Sequence, residues 1–269
     1  MSVLLVWILM YVRVRWLRRN FRGPCVFPSR EEVVEYLARD MDGYHRGFQT
    51  TDLHARNVAS AEEYGRAIRE KACIGTFTAD EAKRIVDACQ RADEFLHTHF
   101  EPWFDGKQCC RMTWRIACVD GNVYEDGLPH TRGDLILFPR NYLYKRTVES
   151  YTRTLIHEKV HVYQKAYPRD TELYIQAHGF ERTGKRHGTL VRSNSDTDDY
   201  LYRQSHTQQD FYAMYLSKTP ESIHDIVYAG DRTQRYEHPY ERMAVDIANW
   251  YTDTSTDTST DTYIKNTNK

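Results

Sequence analysis

The sequence has almost no net charge and few long apolar stretches. It has 37 lysine and arginine residues against 38 aspartate and glutamate residues, so the formal net charge is −1. Because nucleic-acid-binding proteins usually carry a clear excess of positive charge, this balance indicates no nucleic-acid partner. The mean hydropathy of −0.72 excludes a protein with several membrane-spanning helices. A chain of 269 residues can bury the core of one domain with accessory elements.

The sequence also lacks CxxC pairs, and no cysteine follows Cys118. Cys109 and Cys110 are adjacent, and neighbouring cysteines rarely bond each other. We therefore expect reduced thiols in the core of a cytosolic protein rather than a disulfide framework. The six cysteines are Cys25, Cys73, Cys89, Cys109, Cys110 and Cys118.

The two ends of the chain differ from its middle. Residues 3–12 are apolar, and five arginines follow them by position 22. The run is shorter than the ~20 residues that cross a bilayer, and its trailing positive charges disfavour a cleaved signal. A short signal-anchor, an interfacial anchor and a helix packed on the domain remain as alternatives. We expect a cytoplasmic or membrane-associated protein whose main part lies on the cytosolic side, with possible membrane association through residues 3–22.

A motif in the middle of the chain has the spacing of metal ligands. His157 and His161 are four residues apart, so on a helix both imidazoles lie on one face and could bind one Zn²⁺. Glu158 would lie beside this metal, where it could take a proton from a metal-activated water. Flanking apolar residues predict a buried helix that ends before Pro168. The alternative is a core helix with two hydrogen-bonded histidines.

A catalytic zinc usually has a third protein ligand, and two glutamates compete for this role. Gln164 and Tyr167 occupy the positions where the metzincin pattern has Gly and His, which excludes that subclass. Glu181 lies 20 residues after His161, in a segment with two glycines that resembles a turn.

Glu241 is the favoured third ligand. It follows Pro239 in the first turn of a predicted helix, and a face of small side chains lets this helix approach the histidine helix closely. Glu237 and His238 are weaker candidates. The alternative role for Glu241 is a first-turn carboxylate that complements the helix dipole.

These segments together resemble a known family. The HEKVH sequence at 157–161, followed much later by HPYERMA at 238–244, is similar to gluzincin-type zincins. It is similar in particular to poorly characterised HExxH proteins, some of them encoded by large DNA viruses. The resemblance covers roughly residues 110–250 and implies an α+β, zincin-like fold. Such a fold has an N-terminal helical region, a small β-sheet with an antiparallel edge hairpin, the HExxH helix and a downstream helix that carries the glutamate ligand.

The resemblance implies a zinc metallopeptidase, a hydrolase with one Zn²⁺ per chain. His157, His161 and Glu241 would bind the metal, and Glu158 would be the general base. A peptide or protein substrate would pair with the edge strand of the sheet. Two other functions remain open: a zinc hydrolase of non-peptide amides or esters, and a non-catalytic interaction protein with a zincin fold. The intact Glu158 argues against the second, because a structural site needs no base.

Local signals predict the remaining elements. Residues 111–119 and 133–138 are predicted strands. His130 and Thr131 between them could reach the rim of the substrate cleft, but the favoured prediction places them on an exposed hairpin. The acidic residues 196–199 predict a polar loop that caps a following helix. Candidate donors to a tetrahedral oxyanion are Tyr228, Tyr236, His206 and His224.

Ser29, Ser60 and Thr78 predict the starts of three helices in the N-terminal region. The predicted organisation has four parts. These are the apolar and basic segment 1–23, the helical region 24–105, the zincin-like catalytic domain 106–251 and a disordered Thr/Ser/Asp-rich tail at 252–269.

Overall fold

The computed structural model describes residues 23–71, 73–229 and 236–253. In these residues the protein has a mixed α+β structure. The helices are α1 (Arg30–Ala38), α2 (Thr50–Ala55), α3 (Ala61–Glu70), α4 (Ala79–Leu96), α5 (Gly106–Arg111), α6 (Tyr142–Lys145), α7 (Val148–Ala166), α8 (Pro168–Ala177) and α9 (Pro239–Asp253). The strands are β1 (Cys25–Val26), β2 (Ile74–Gly75), β3 (Phe100–Glu101), β4 (Phe104–Asp105), β5 (Trp114–Val119), β6 (His130–Arg132), β7 (Leu135–Pro139), β8 (Phe180–Lys185), β9 (Tyr200–Gln204), β10 (Gln209–Phe211), β11 (Ala213–Tyr215) and β12 (Ile226–Tyr228).

A mixed sheet of five strands organises the fold, in the order β1-β5-β7-β6 with β2 also paired to β5. β5 runs parallel to β1 and β7 and antiparallel to β2. β6 runs antiparallel to β7 and forms the outer edge. The two strands predicted from the sequence are therefore present, and the edge hairpin is formed by β6 and β7. The region 24–105 contributes β1 and β2 to this sheet.

The two faces of the sheet bury different helices. Side chains alternate along a strand, so Ile116 and Phe138 face the cluster that contains α4, α7 and α9. Ala117 and Leu137 point the other way, into the cluster formed with α1 and α3. α7 consequently lies in the core between the sheet and the other helices. This packing fixes the positions of the polar side chains on α7.

The predicted helix starts in the N-terminal region are confirmed. The side-chain oxygens of Ser29, Ser60 and Thr78 each accept a hydrogen bond from the backbone N–H three residues later. These bonds satisfy N–H groups that a helix leaves unpaired at its first turn. α7 likewise ends before Pro168, which takes the first position of α8.

Two local predictions after α7 are wrong. The segment around Glu181, predicted as a turn, is strand β8 of a three-stranded antiparallel sheet with β9 and β10. The acidic loop at 196–199 precedes β9 rather than a helix. Both segments pair with residues distant in sequence, and this long-range pairing overrides the local glycine and aspartate signals.

All six cysteines lie in the described part of the chain, and none of them forms a disulfide. No helix in the described ranges combines the length and the apolar character needed to cross a membrane. The predicted N-terminal anchor segment at 3–22 and most of the predicted disordered tail lie outside the described residues.

A buried ion pair between Arg56 and Glu125 predicts acid sensitivity. Arg56 donates two hydrogen bonds to Glu125, of 2.8 and 2.7 Å. Burial alone would raise the pKa of Glu125, but the Arg56 guanidinium outweighs it and lowers the pKa to about 2. This folded-state pKa lies below the ~4.3 of an unfolded glutamate, so the stabilisation is present above that value and is lost as the pH falls towards 2.

We expect this group to contribute a loss of about 2 kcal/mol in the free energy of unfolding between pH 7 and pH 3. Urea unfolding at both pH values measures the loss. Glu125→Gln, although less stable at pH 7, should lose about 2 kcal/mol less than wild type on acidification. Equal losses in the two proteins would contradict this account of Glu125.

Candidate metal centre

Two histidines on α7 face each other at the edge of a cavity. His157 and His161 lie one helical turn apart, and their Nε2 atoms are 3.0 Å from each other. His161 is fully buried, whereas the side chain of His157 is 23% exposed. One ligand atom is thus enclosed by the core, and the other borders open space.

Glu241 in the first turn of α9 completes a group of three. Its Oε2 lies 3.3 Å from Nε2 of His157 and 3.5 Å from Nε2 of His161. α9 packs along α7 through a buried face that includes Ala244 and Ala248, whose small side chains allow a close approach. His157, His161 and Glu241 therefore offer three potential metal ligands at one point.

The separations of these three atoms match a small tetrahedral ion. A zinc ion with bonds of about 2.05 Å holds its ligand atoms about 3.3 Å apart in tetrahedral geometry. The observed separations of 3.0, 3.3 and 3.5 Å bracket this value. The donor set of two imidazoles and one carboxylate is also one that catalytic zinc uses.

The competing ligand candidates lie elsewhere or have other partners. Glu181 is exposed on β8 and accepts a hydrogen bond of 2.6 Å from Ser205. Glu237 accepts a hydrogen bond of 2.7 Å from Arg192. His238 lies 3.1 Å from a carboxylate oxygen of Asp198. Of the glutamates weighed from the sequence, only Glu241 joins the two histidines.

A glutamine fixes the orientation of His161. Its Nδ1 lies 2.8 Å from Oε1 of Gln164, whose Nε2 donates to the carbonyl of Tyr240 at 2.9 Å. Because the amide N–H is used by Tyr240, the amide oxygen faces the imidazole and accepts its Nδ1–H. This arrangement leaves Nε2 for a metal, as hydrogen bonds around metal-binding histidines commonly do.

Electrostatics within the group favour an ionised carboxylate. Burial would raise the pKa of Glu241, but the neighbouring His161 and His157 outweigh it and lower the pKa well below its usual range. Conversely, burial would lower the pKa of His161, while Glu241 and Asp196 raise it to about 9. The carboxylate is thus in the form that a cation requires.

Asn194 holds the other oxygen of the Glu241 carboxylate. Its Nδ2 donates to Oε1 of Glu241 at 2.8 Å and to Oε1 of Glu237 at 2.6 Å. Oε2 of Glu241 is left to face the histidines. The Asn194 side chain therefore orients the glutamate in the way that hydrogen-bond partners orient metal ligands.

We expect Asn194→Ala to weaken zinc binding by about 10- to 100-fold, since it removes this orienting bond. Competition with a zinc-chelating dye measures the affinity. Asn249→Ala removes an amide that lines the same cavity from α9 and serves as the matched control. If both variants bind zinc as tightly as the unaltered protein, Asn194 does not position Glu241.

Glu158 lies beside the three potential metal ligands His157, His161 and Glu241, which are called the triad below. The residue is only 3% exposed, and its Oε2 has no hydrogen-bond partner among the described residues. Burial and then the negative charge of Asp196 raise its pKa well above the usual range of a glutamate. Glu158 is thus a buried carboxyl group with an unused hydrogen-bonding atom next to three potential metal ligands.

A cavity of about 680 Å³ opens onto the triad. His157, Glu158 and Glu241 line it, together with residues from the 125–130 and 192–196 segments and from α9. Of the four proposed oxyanion donors, Tyr228 and Tyr236 line this cavity, whereas His206 and His224 do not. His224 instead lies 3.4 Å from Asp126.

The edge strand differs from the expectation. His130 and Thr131, predicted on an exposed hairpin, are 6% and 0% exposed. The N–H of Thr131 donates to Oδ1 of Asp196 at 2.8 Å, and its carbonyl accepts from Nζ of Lys165 at 3.2 Å. The expected pairing of a substrate strand with β6 is therefore wrong at this residue, because protein side chains occupy both backbone groups.

Lys159, which lies within the HEKVH motif, fixes α7 against the sheet. This side chain is fully buried and donates to the carbonyl of Met112 at 2.7 Å, and its Nζ lies 3.8 Å from the Trp114 ring centroid. The Trp114 indole donates in turn to Asp93 at 3.1 Å. These contacts fix α7 against β5 and thereby the direction of its two imidazoles.

Sequence reasoning missed Gln164, Asn194 and Asp196 as positioning residues. Gln164 lies three residues after His161, one helical turn further on, and this spacing could have identified it. Asn194 and Asp196 lie in the segment predicted only as a polar loop. No sequence signal connects them with Glu241 or with Thr131, which is 65 residues away from Asp196.

Comparison of the whole chain with protein-family models, with curated proteins and with solved structures finds no significant match.

Proposed function

We propose that this protein is a zinc-dependent metallopeptidase of the gluzincin type, with one Zn²⁺ bound by His157, His161 and Glu241. The observation that carries the proposal is the set of separations of 3.0 to 3.5 Å between the three ligand atoms. The orphan oxygen of Glu158 and the adjacent cavity support a catalytic rather than a structural site. The glutamate on the downstream helix α9 is the third ligand that the resemblance to gluzincins implies, and α9 packs on α7.

A zinc ion held by these residues would acidify a water molecule and polarise a substrate carbonyl. The positive charge of the ion would also lower the raised pKa of Glu158, so that its carboxylate could act as general base, taking the proton of the attacking water and then passing it to the leaving nitrogen. Gln164 and Asn194 keep His161 and Glu241 in their binding orientations. Tyr228 and Tyr236 line the cavity and are the candidate donors to the developing oxyanion.

Two other functions use the same features. A zinc hydrolase of non-peptide amides or esters would need the same ligands and base, and only substrates distinguish it from a peptidase. A non-catalytic zincin-fold interaction protein would have no use for Glu158, whose buried Oε2 lacks a hydrogen-bond partner among the described residues, which is energetically unfavourable. For this reason we favour an enzyme, with a peptide or protein substrate as its partner, in the cytoplasm or on the cytosolic side of a membrane.

Incubation of the zinc-loaded, full-length protein with a mixed peptide library, read by mass spectrometry, tests the proposal. We expect new termini that disappear with a chelator and return when zinc is restored. Ester and non-peptide amide substrates are assayed in parallel. Cleavage of these alone would favour the other hydrolase, and a zinc-loaded protein that cleaves nothing would favour the interaction protein.

A further inference from the structure

The outer edge of β6 offers no free backbone groups for a substrate strand. N–H and C=O of one strand residue point to the same side, so the two Thr131 groups bound by Asp196 and Lys165 are those that face away from β7. Thr131 is the central residue of this three-residue strand. Its neighbours in the strand, His130 and Arg132, direct their backbone groups towards β7.

The positions that flank Thr131 on the same side are also unsuitable for pairing. Pro129 has no N–H to donate. Gly133 adopts a left-handed conformation with φ of 59°, and a Cβ there would approach the hydroxyl of Tyr36 to 2.2 Å. An extended peptide beside β6 would therefore be unable to form the regular backbone hydrogen bonds of a β-ladder at Pro129, Thr131 and Gly133.

The side-chain contacts that occupy the outer edge of β6 are buried in the folded core. Asp196 is 5% exposed. Ser193, at the start of the same segment, donates its N–H to Oδ1 of Asp52 at 2.8 Å. Asp52 is fully buried and also accepts hydrogen bonds from Arg186 at 2.8 Å and from Tyr215 at 3.1 Å. The segment 193–196 is thus anchored at both ends by buried carboxylates.

Two side chains at the cavity have polar atoms left over. The Nδ1–H of His130 donates to the carbonyl of Leu128 at 2.9 Å, so its Nε2 is an acceptor, and this atom has no partner among the described residues. Nε of Arg192 is a donor, likewise buried and unpartnered. Both residues belong to the lining of the cavity that borders His157 and Glu241. These two atoms are themselves enclosed by the protein, so the cavity offers a ligand the other polar atoms of its lining, such as the hydroxyls of Ser195 and Tyr236.

We propose that this site takes short peptides of a few residues, held by side chains, rather than extended polypeptide added as a strand to β6. The inference rests on the proposed function and narrows its substrate class. The cavity of about 680 Å³ has the volume of pockets that enclose compact ligands. The hydroxyls of Ser195 and Tyr236, which line it, can hydrogen-bond a peptide unit there.

Binding to the zinc-loaded Glu158→Gln protein tests this separately from turnover. Calorimetry with a tripeptide, a hexapeptide and a dodecapeptide that share one central sequence compares the three affinities. We expect the dodecapeptide to bind no more tightly than the tripeptide. N-methylation of backbone amides outside the central three residues should change the affinity less than about twofold, because no strand hydrogen bonds are lost.

Affinity that rises about tenfold or more with length, and falls on such N-methylation, would overturn the inference while leaving the peptidase proposal intact. Failure of all three peptides to bind would overturn it as well. Binding of short peptides without any turnover in the wild type would instead count against the peptidase.

Discussion

Glu158→Gln is expected to retain its zinc while kcat falls by about 10²- to 10⁴-fold, the usual contribution of a general base. The amide has nearly the shape of the carboxyl group, so it fills the same buried position. It cannot accept the proton of the attacking water, however. Zinc content and kcat, measured on the same sample of the full-length protein, separate the loss of the base from the loss of the metal.

Glu149→Gln is the matched control for this prediction. Glu149 is an exposed carboxylate in the first turn of the same helix, far from the triad in the helical sequence. The control should keep both zinc and turnover. Nearly full activity in Glu158→Gln would remove Glu158 from the mechanism, even if the metal site itself is correct.

Loss of a metal ligand has the second large expected effect. We expect His161→Ala and Glu241→Ala each to weaken zinc binding by about 10²- to 10³-fold, as one of the few protein bonds that make up the binding free energy is lost. Competition with a chelating dye measures the dissociation constants. The melting temperature, which zinc should raise in the wild type, reports the same loss independently.

Glu181→Ala distinguishes the chosen third ligand from its rival. Glu181 lies on β8 with Ser205 as its partner, so its removal should leave the zinc affinity unchanged. The reverse outcome, in which Glu181→Ala loses zinc and Glu241→Ala keeps it, would show that the packing of α9 against α7 has been misinterpreted.

The parts of the fold that were predictable depend on neighbours in sequence. Helix starts at Ser29, Ser60 and Thr78 follow from side chains that cap N–H groups three residues away. The convergence of His157 and His161 follows from the pitch of a single helix. In each case the interacting groups lie within one turn, so the local sequence determines the geometry.

The parts that were missed depend on contacts between distant segments. The bond from Thr131 to Asp196 closes the edge strand across 65 residues, and neither residue carries a sign of it. Asn194 reaches Glu241 across 47 residues, through a loop whose sequence predicts only polarity. Strand β8 forms because β9 pairs with it, although its own glycines and charges favour a turn.

The role of Glu241 was only partly predictable from the sequence. Its place in the first turn of a helix was predictable from Pro239. The contact of that helix with α7 was only suggested by its small side chains, and the packing brings the carboxylate to within 3.5 Å of both imidazoles.

The most direct test of the proposed centre is zinc-edge X-ray absorption on the purified, zinc-loaded protein, with the zinc content determined alongside. The account predicts one zinc per chain, with only nitrogen and oxygen ligands at about 2.0–2.1 Å and the multiple-scattering signal of two imidazoles. A sulfur shell at about 2.3 Å would place the metal on the buried cysteines instead. That result, or the absence of bound zinc, would contradict the assignment of His157, His161 and Glu241.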